Sequence, residues 1–298
     1  MKLSLLPEVL NSFPPRPMSW TSLPPRSCPP MTSADQLLHA ELPPRPAVLT
    51  ALNDEIQSEE PDLNRVSDLV SGDVGLAAAV IKTVNSPYFG LSRQVASVRQ
   101  AVTFLGLAEV FGIVTGACLR RSFVSNDPMM EQIWDESAAR GASMRRLASE
   151  LHVLAPDRAY TCGLFENAGM ALLLVHAPGY AHTASQAGDG MALMERERVR
   201  YGVDHPTLGQ ALMRTWGLPV ELALAVRQHH GLAQLDDAEM PLLARQLVAL
   251  STMANAALSD ERADWESNRA LIAHIVEAAE EQLQRLFDEL ATLDPMRN

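Results

Sequence analysis

Apolar residues along this chain recur three and four apart, with no sustained alternation of apolar and polar positions, so the pattern is one of packed helices rather than strands. In "LPPRPAVLTALNDEI", Val48, Leu49, Leu52 and Ile56 share a helical face, with Pro46 in the first turn, where its missing N–H costs nothing. After Pro61 a second helix sets Leu63, Val66, Leu69 and Val70 on one side and stops at Gly72. Asp73 is a candidate cap for a third, "VGLAAAVIKTVN", and "NSPYFG" ends it in a turn. "SVRQAVTFLG" opens with Ser97 and, three residues on, Gln100, the pattern of a capping box, and closes at Gly106. Further helices are expected near 128–152, 157–176, 189–200, 206–216, 219–230, 240–258 and 266–291, with Gly141 a point of interruption in the first. The last carries Leu271, Ile275, Ala278, Leu283, Leu286 and Leu290 amid glutamates, which suits either a packing helix or a homodimer face.

These elements predict an all-α fold. Short helices over 33–125 are expected to pack on a helical half over 126–298 as one unit. Residues 1–32 are different. Eight prolines fall within residues 1–30, seven of them in "FPPRP", "LPPRS" and "CPP", with little periodicity, so a disordered or extended tail is expected there, or a true start at Met31.

Composition narrows the function. A formal net charge of −12 opposes attraction to phosphate backbones, so nucleic acid is not an expected partner. The longest apolar run, Ala168 to Val175, is far short of the roughly 18 residues a membrane-spanning helix needs, and no secretory signal is read at the N-terminus. Cys28, Cys118 and Cys162 form no CxxC pair and read as reduced thiols of a cytoplasmic protein. Lys2 and Lys82 are the only lysines and no GxxxxGK occurs, which excludes a P-loop. Arginines at 120–121, 145–146 and 196, 198 and 200 read as solvated faces or as contacts for an acidic partner.

Candidate chemistry rests on histidine. His205 opens one expected helix, and His229 and His230 close the next, so the three converge if the two helices form a hairpin. In "GLFENAGMALLL", Glu166 and Asn167 interrupt an otherwise apolar segment.

Four stretches, "LPPRPAVLTALND", "VSDLVSGDVGLAAAVIKTVNSPYFG", "SVRQAVTFLGLAEV" and "YGVDHPTLGQALMRTWGLPVELALAVRQHHG", together resemble an HDOD domain, from about 42 to about 258. The resemblance implies an all-helical fold similar to the HD and HD-GYP metal-dependent phosphohydrolases, and a non-catalytic role in bacterial signalling. HD enzymes hold metal with a histidine, a His-Asp dyad, further histidines and a late aspartate. By that resemblance Glu136 in "WDESAARGA" stands at the first histidine, Glu166 and Asn167 at the dyad, Met170 at a lysine that often follows it, and Ser251 at the late aspartate. His205, His229 and His230 match positions that the enzymes also fill with histidine. A neutral amide at Asn167 neither bridges metals nor takes a proton from water. "GLAQLDDAEMP" after His230 lacks the Gly-Tyr-Pro elements of a cyclic di-GMP phosphodiesterase.

The expectation is therefore a regulatory module with no catalytic residues and no resident cofactor, acting on two-component or cyclic di-GMP turnover proteins, with Tyr88 and Phe89 as partner-binding candidates. A mixed site of Glu136, Glu166, His205, His229 and His230, suited to iron, manganese or zinc, is the alternative, as a divergent phosphohydrolase. A third reading is a nucleotide sensor without turnover.

Overall fold

The computed structural model describes residues 34–292 apart from 40–41, 87–88, 90, 92, 188–189, 233–234 and 260–261. The proline-rich stretch and Tyr88 lie outside the described residues. Thr32–Asn298 clusters as one compact unit. In chain order the helices are α1 (Ala34–His39), α2 (Ala47–Ile56), α3 (Leu63–Ser71), α4 (Val74–Val84), α5 (Val98–Leu105), α6 (Leu107–Ser122), α7 (Pro128–Leu151) and α8 (Pro156–Phe165). There follow α9 (Ala168–His176), α10 (Tyr180–Ser185), α11 (Gly190–Tyr201), α12 (His205–Thr215), α13 (Val220–Gln228), α14 (Leu242–Leu258), α15 (Ala263–Ile275) and α16 (Glu280–Thr292). Among the described residues there is no strand, and the fold is all-α as expected.

The local signals act as read. Asp73 accepts from the Gly75 and Leu76 amides at the start of α4. Ser97 accepts from the Gln100 amide at 3.2 Å, while the Gln100 side chain turns back to the Ala96 amide at 3.1 Å, one residue earlier than a strict capping box. Gly106, at φ 78°, ends α5 and begins α6, a helix the periodicity reading passed over.

Gly141 does not interrupt α7. It is the contact point with α8: a Cβ on Gly163 would lie 2.8 Å from the Gly141 backbone, so only two glycines let these helices cross this closely. Two expected helices are each divided. The segment 157–176 breaks at Glu166–Asn167 into α8 and α9, and 266–291 breaks at Glu277, whose φ is 52°, into α15 and α16. That second break changes the reading of the C-terminal stripe. Leu283, Leu286, Phe287 and Leu290 are buried within the chain, with Phe287 stacked on Trp265 at 5.4 Å. Most of the stripe is thus used in packing within the chain, with Leu271 and Ala278 partly buried.

Trp216 is fully buried, edge-on to Phe165 at 5.6 Å, and its indole N–H donates to the Pro43 carbonyl at 3.0 Å. This ties the segment before α2 to the end of α12. The arginines are spent on internal pairs: Arg121 with Asp73 at 2.7 Å, Arg146 with Glu289 at 2.6 Å, Arg120 with Glu131 and Arg145 with Glu109. Phe89 is half-buried, edge-on to Phe104 at 6.3 Å and under the Arg145 guanidinium at 5.1 Å, so it covers helices as much as it faces solvent.

Candidate functional site

The histidines expected to converge do so. Asp204 caps α12 by accepting from the Thr207 amide at 2.9 Å, which fixes His205 as the first helical residue. His229 and His230 follow the last turn of α13, which packs against α12. The three rings lie 4.0 to 5.3 Å apart between centroids, and a nitrogen of each falls within 4.8 Å of the others. They share one wall of a cavity of about 530 Å³, in the range of small-molecule sites. Asp135, Glu136 and Arg140 of α7 line it, as do Asn167 and Met170 beside α9, and Thr252 and Asn255 of α14.

Burial favours the uncharged form of His229 and His230. It drives His229 well below the ordinary histidine range, with His230 and His205 adding to the effect. It takes His230 down to about 3, His205 and Arg140 pushing the same way. His229 and His230 thus present neutral nitrogens to the cavity.

Glu166 does not join them. It is 0% exposed but is absent from the cavity lining, and its carboxylate faces Arg140 Nε at 3.3 Å. Burial pushes it up to about 7, against the opposing pull of Arg140 and of the Ser251 hydroxyl, although neither oxygen has a well-aligned hydrogen-bond donor. Arg140 is further bound to the Asn255 side-chain oxygen, and its Nη1 is buried without a partner. Ser251 lies buried one turn before Asn255, whose amide donates to its hydroxyl at 3.3 Å. Glu136 stands at the cavity wall, half-buried and bonded to Gln132 at 2.8 Å. Of the five residues grouped in the mixed-site alternative, the structure therefore brings three histidines together and leaves Glu136 and Glu166 outside that cluster.

Two residues that the sequence reading did not single out matter here. Arg140 is one helical turn after Glu136, and that i, i+4 spacing places it on the same face. Glu197 is hidden among the charges of "ERERVRY", yet it is 0% exposed and bonds to His205 Nδ1 at 2.8 Å. No local pattern distinguishes it from its solvated neighbours.

The chain matches the HDOD domain family model over residues 42–232. It belongs to the HDOD family. An uncharacterized protein of Treponema pallidum (strain Nichols) is 26% identical over 248 residues, covering 82% of this chain, which spans about half, 48%, of that relative. Among solved structures, a candidate signal transduction protein from Marinobacter aquaeolei VT8 superposes with a TM-score of 0.68 at 24% identity, over 87% of this chain and 58% of that one. A candidate phosphohydrolase from Shewanella amazonensis SB2B gives 0.64 at 20% identity, over 87% and 93%. At these identities the likeness shows the fold. The HDOD assignment fits a regulatory module of a family related to the HD phosphohydrolases. No helix among the described residues is long and apolar enough to cross a membrane.

The HD relationship implies a metal, and the residues fit it in part. Three clustered imidazoles suit one transition-metal ion. A carboxylate-bridged pair of ions does not fit, because Asn167 is an amide and Glu166 is bound to Arg140 outside the cavity lining.

Proposed function

We propose that this HDOD protein is a non-enzymatic, cytoplasmic module of bacterial signal transduction, working by binding other proteins, with two-component or cyclic di-GMP turnover proteins as the partner class. One observation carries the reading. At the position that the resemblance gives to the HD dyad, the buried carboxylate is paired to a half-buried arginine and its neighbour is an amide. Among the described residues no carboxylate joins the cluster of three histidines, where it could bridge metal ions or take a proton from water. Asp135, Glu136 and Asp264 line the cavity from α7 and α15 instead. The Marinobacter neighbour's signal-transduction assignment supports the same direction.

The test is hydrolysis of cyclic di-GMP and of bis-p-nitrophenyl phosphate by the full chain with manganese, ferrous iron or zinc. The expected rate equals that of His229→Ala with every metal. A metal-dependent rate that His229→Ala removes would establish the phosphohydrolase instead.

A further inference from the structure

Glu197 receives three hydrogen bonds in the core. The Tyr180 hydroxyl donates to one carboxylate oxygen at 2.6 Å, and the His205 amide and ring Nδ1 both reach the other at 2.8 Å. A carboxylate there requires a proton on His205 Nδ1, which leaves Nε2 with its lone pair in the neutral ring. His229 is fixed in the same sense by a different acceptor: its Nδ1 lies 2.7 Å from the Val226 carbonyl, which can only accept. Both Nε2 atoms are buried and have no hydrogen-bond partner. With His230 they form the cluster whose nitrogens lie within 4.8 Å of one another. Buried, unpartnered acceptors held by outer hydrogen bonds and gathered in one cluster are the arrangement of metal-ligating histidines. An all-imidazole set with no carboxylate favours zinc over manganese or magnesium. Arg140 in the cavity wall opposes the ion and weakens the site without closing it.

We propose that Glu197 is the positioning residue that holds His205 in the ligating tautomer, so that with His229 and His230 it can take the single divalent ion, here of the zinc class, that the HD relationship implies. The ion has a structural or sensing role, a statement that rests on the non-enzymatic reading above.

The full chain, stripped by chelation, is titrated with Co(II), followed by its visible absorption, and with Zn(II) by calorimetry. One equivalent of each is expected in the wild type. Glu197→Gln keeps the shape and removes the charge, and should weaken zinc roughly 10- to 100-fold. Nitrogen-15 NMR of the metal-free histidines should show the Nδ1–H form of His205 in the wild type and a mixture in Glu197→Gln, a change that a purely structural glutamate would not produce. Tyr180→Phe retains the carboxylate and should bind zinc within a few-fold of wild type, which separates the charge from general damage to the core. Wild type that binds neither ion overturns the site while leaving the protein-binding reading intact. Equal zinc affinity in Glu197→Gln and wild type overturns the role of Glu197. Phosphodiester hydrolysis by the zinc-loaded chain overturns its non-catalytic character.

Discussion

Gly169→Ala is expected to destabilise the protein by about 3 kcal/mol, the upper end of what overpacking costs. Helix propensity alone gives the opposite sign, since alanine is favoured over glycine in a helix by about 1 kcal/mol. Geometry decides the sign. A Cβ at Gly169 would lie 2.0 Å from the His205 carbonyl oxygen and 2.8 and 2.9 Å from its C and Cα. All three are backbone atoms, so no rotamer change relieves the clash, and α9 and α12 must separate. His205 then moves relative to His229 and His230, and Co(II) absorption should be lost along with stability. Gly72→Ala is the control. Its Cβ would approach only the Leu69 and Asp68 carbonyl oxygens, at 3.4 and 3.5 Å, an ordinary contact, and its φ is −63°. Urea unfolding of the two variants is the measurement. A Gly169→Ala protein as stable as wild type would mean that α9 and α12 do not approach as closely as described.

Features with a local cause were legible in the sequence. Asp73 and Ser97 sit at helix starts because a side-chain oxygen satisfies amides two or three residues away, an interaction contained within a few residues. The convergence of His205 with His229 and His230 was equally accessible, since a short connection between two helices forces them antiparallel. The break at Glu166–Asn167 was not. "GLFENAGMALLL" has no proline, its apolar spacing continues across the break, and what holds Glu166 in place is Arg140, 26 residues away on α7. Glu277 is similar: neither glycine nor proline marks the turn between α15 and α16, and packing of α16 on Trp265 imposes a left-handed residue that propensity disfavours. Buried charge is the general difficulty. Glu197 and Arg140 look like solvated helix positions until the residues that surround them are known.

Arg140→Met should cost about 3 kcal/mol above pH 8 and much less at pH 5, because it leaves the buried Glu166 without its cation. The pH dependence follows from the direction of the shift. Glu166 stands at about 7 in the folded protein, against an ordinary value of 4.5, so between these values the folded state binds more protons than the unfolded state. Stability contributed through this group therefore falls as pH rises through that window. Without Arg140 the folded value moves higher still and the fall continues further into the alkaline range. At pH 5 the folded forms of both proteins hold Glu166 mostly protonated, and the difference narrows to the lost Asn255 contact and packing. Denaturant unfolding at several pH values reads this directly, and a cost constant from pH 5 to 9 would show that Glu166 is not the origin. Arg140→Met with Glu166→Gln should recover most of the alkaline loss, since an amide has no charge to bury. The same single substitution removes the cation beside His229 and His230, so zinc affinity should rise while stability falls. General damage to the core would lower both.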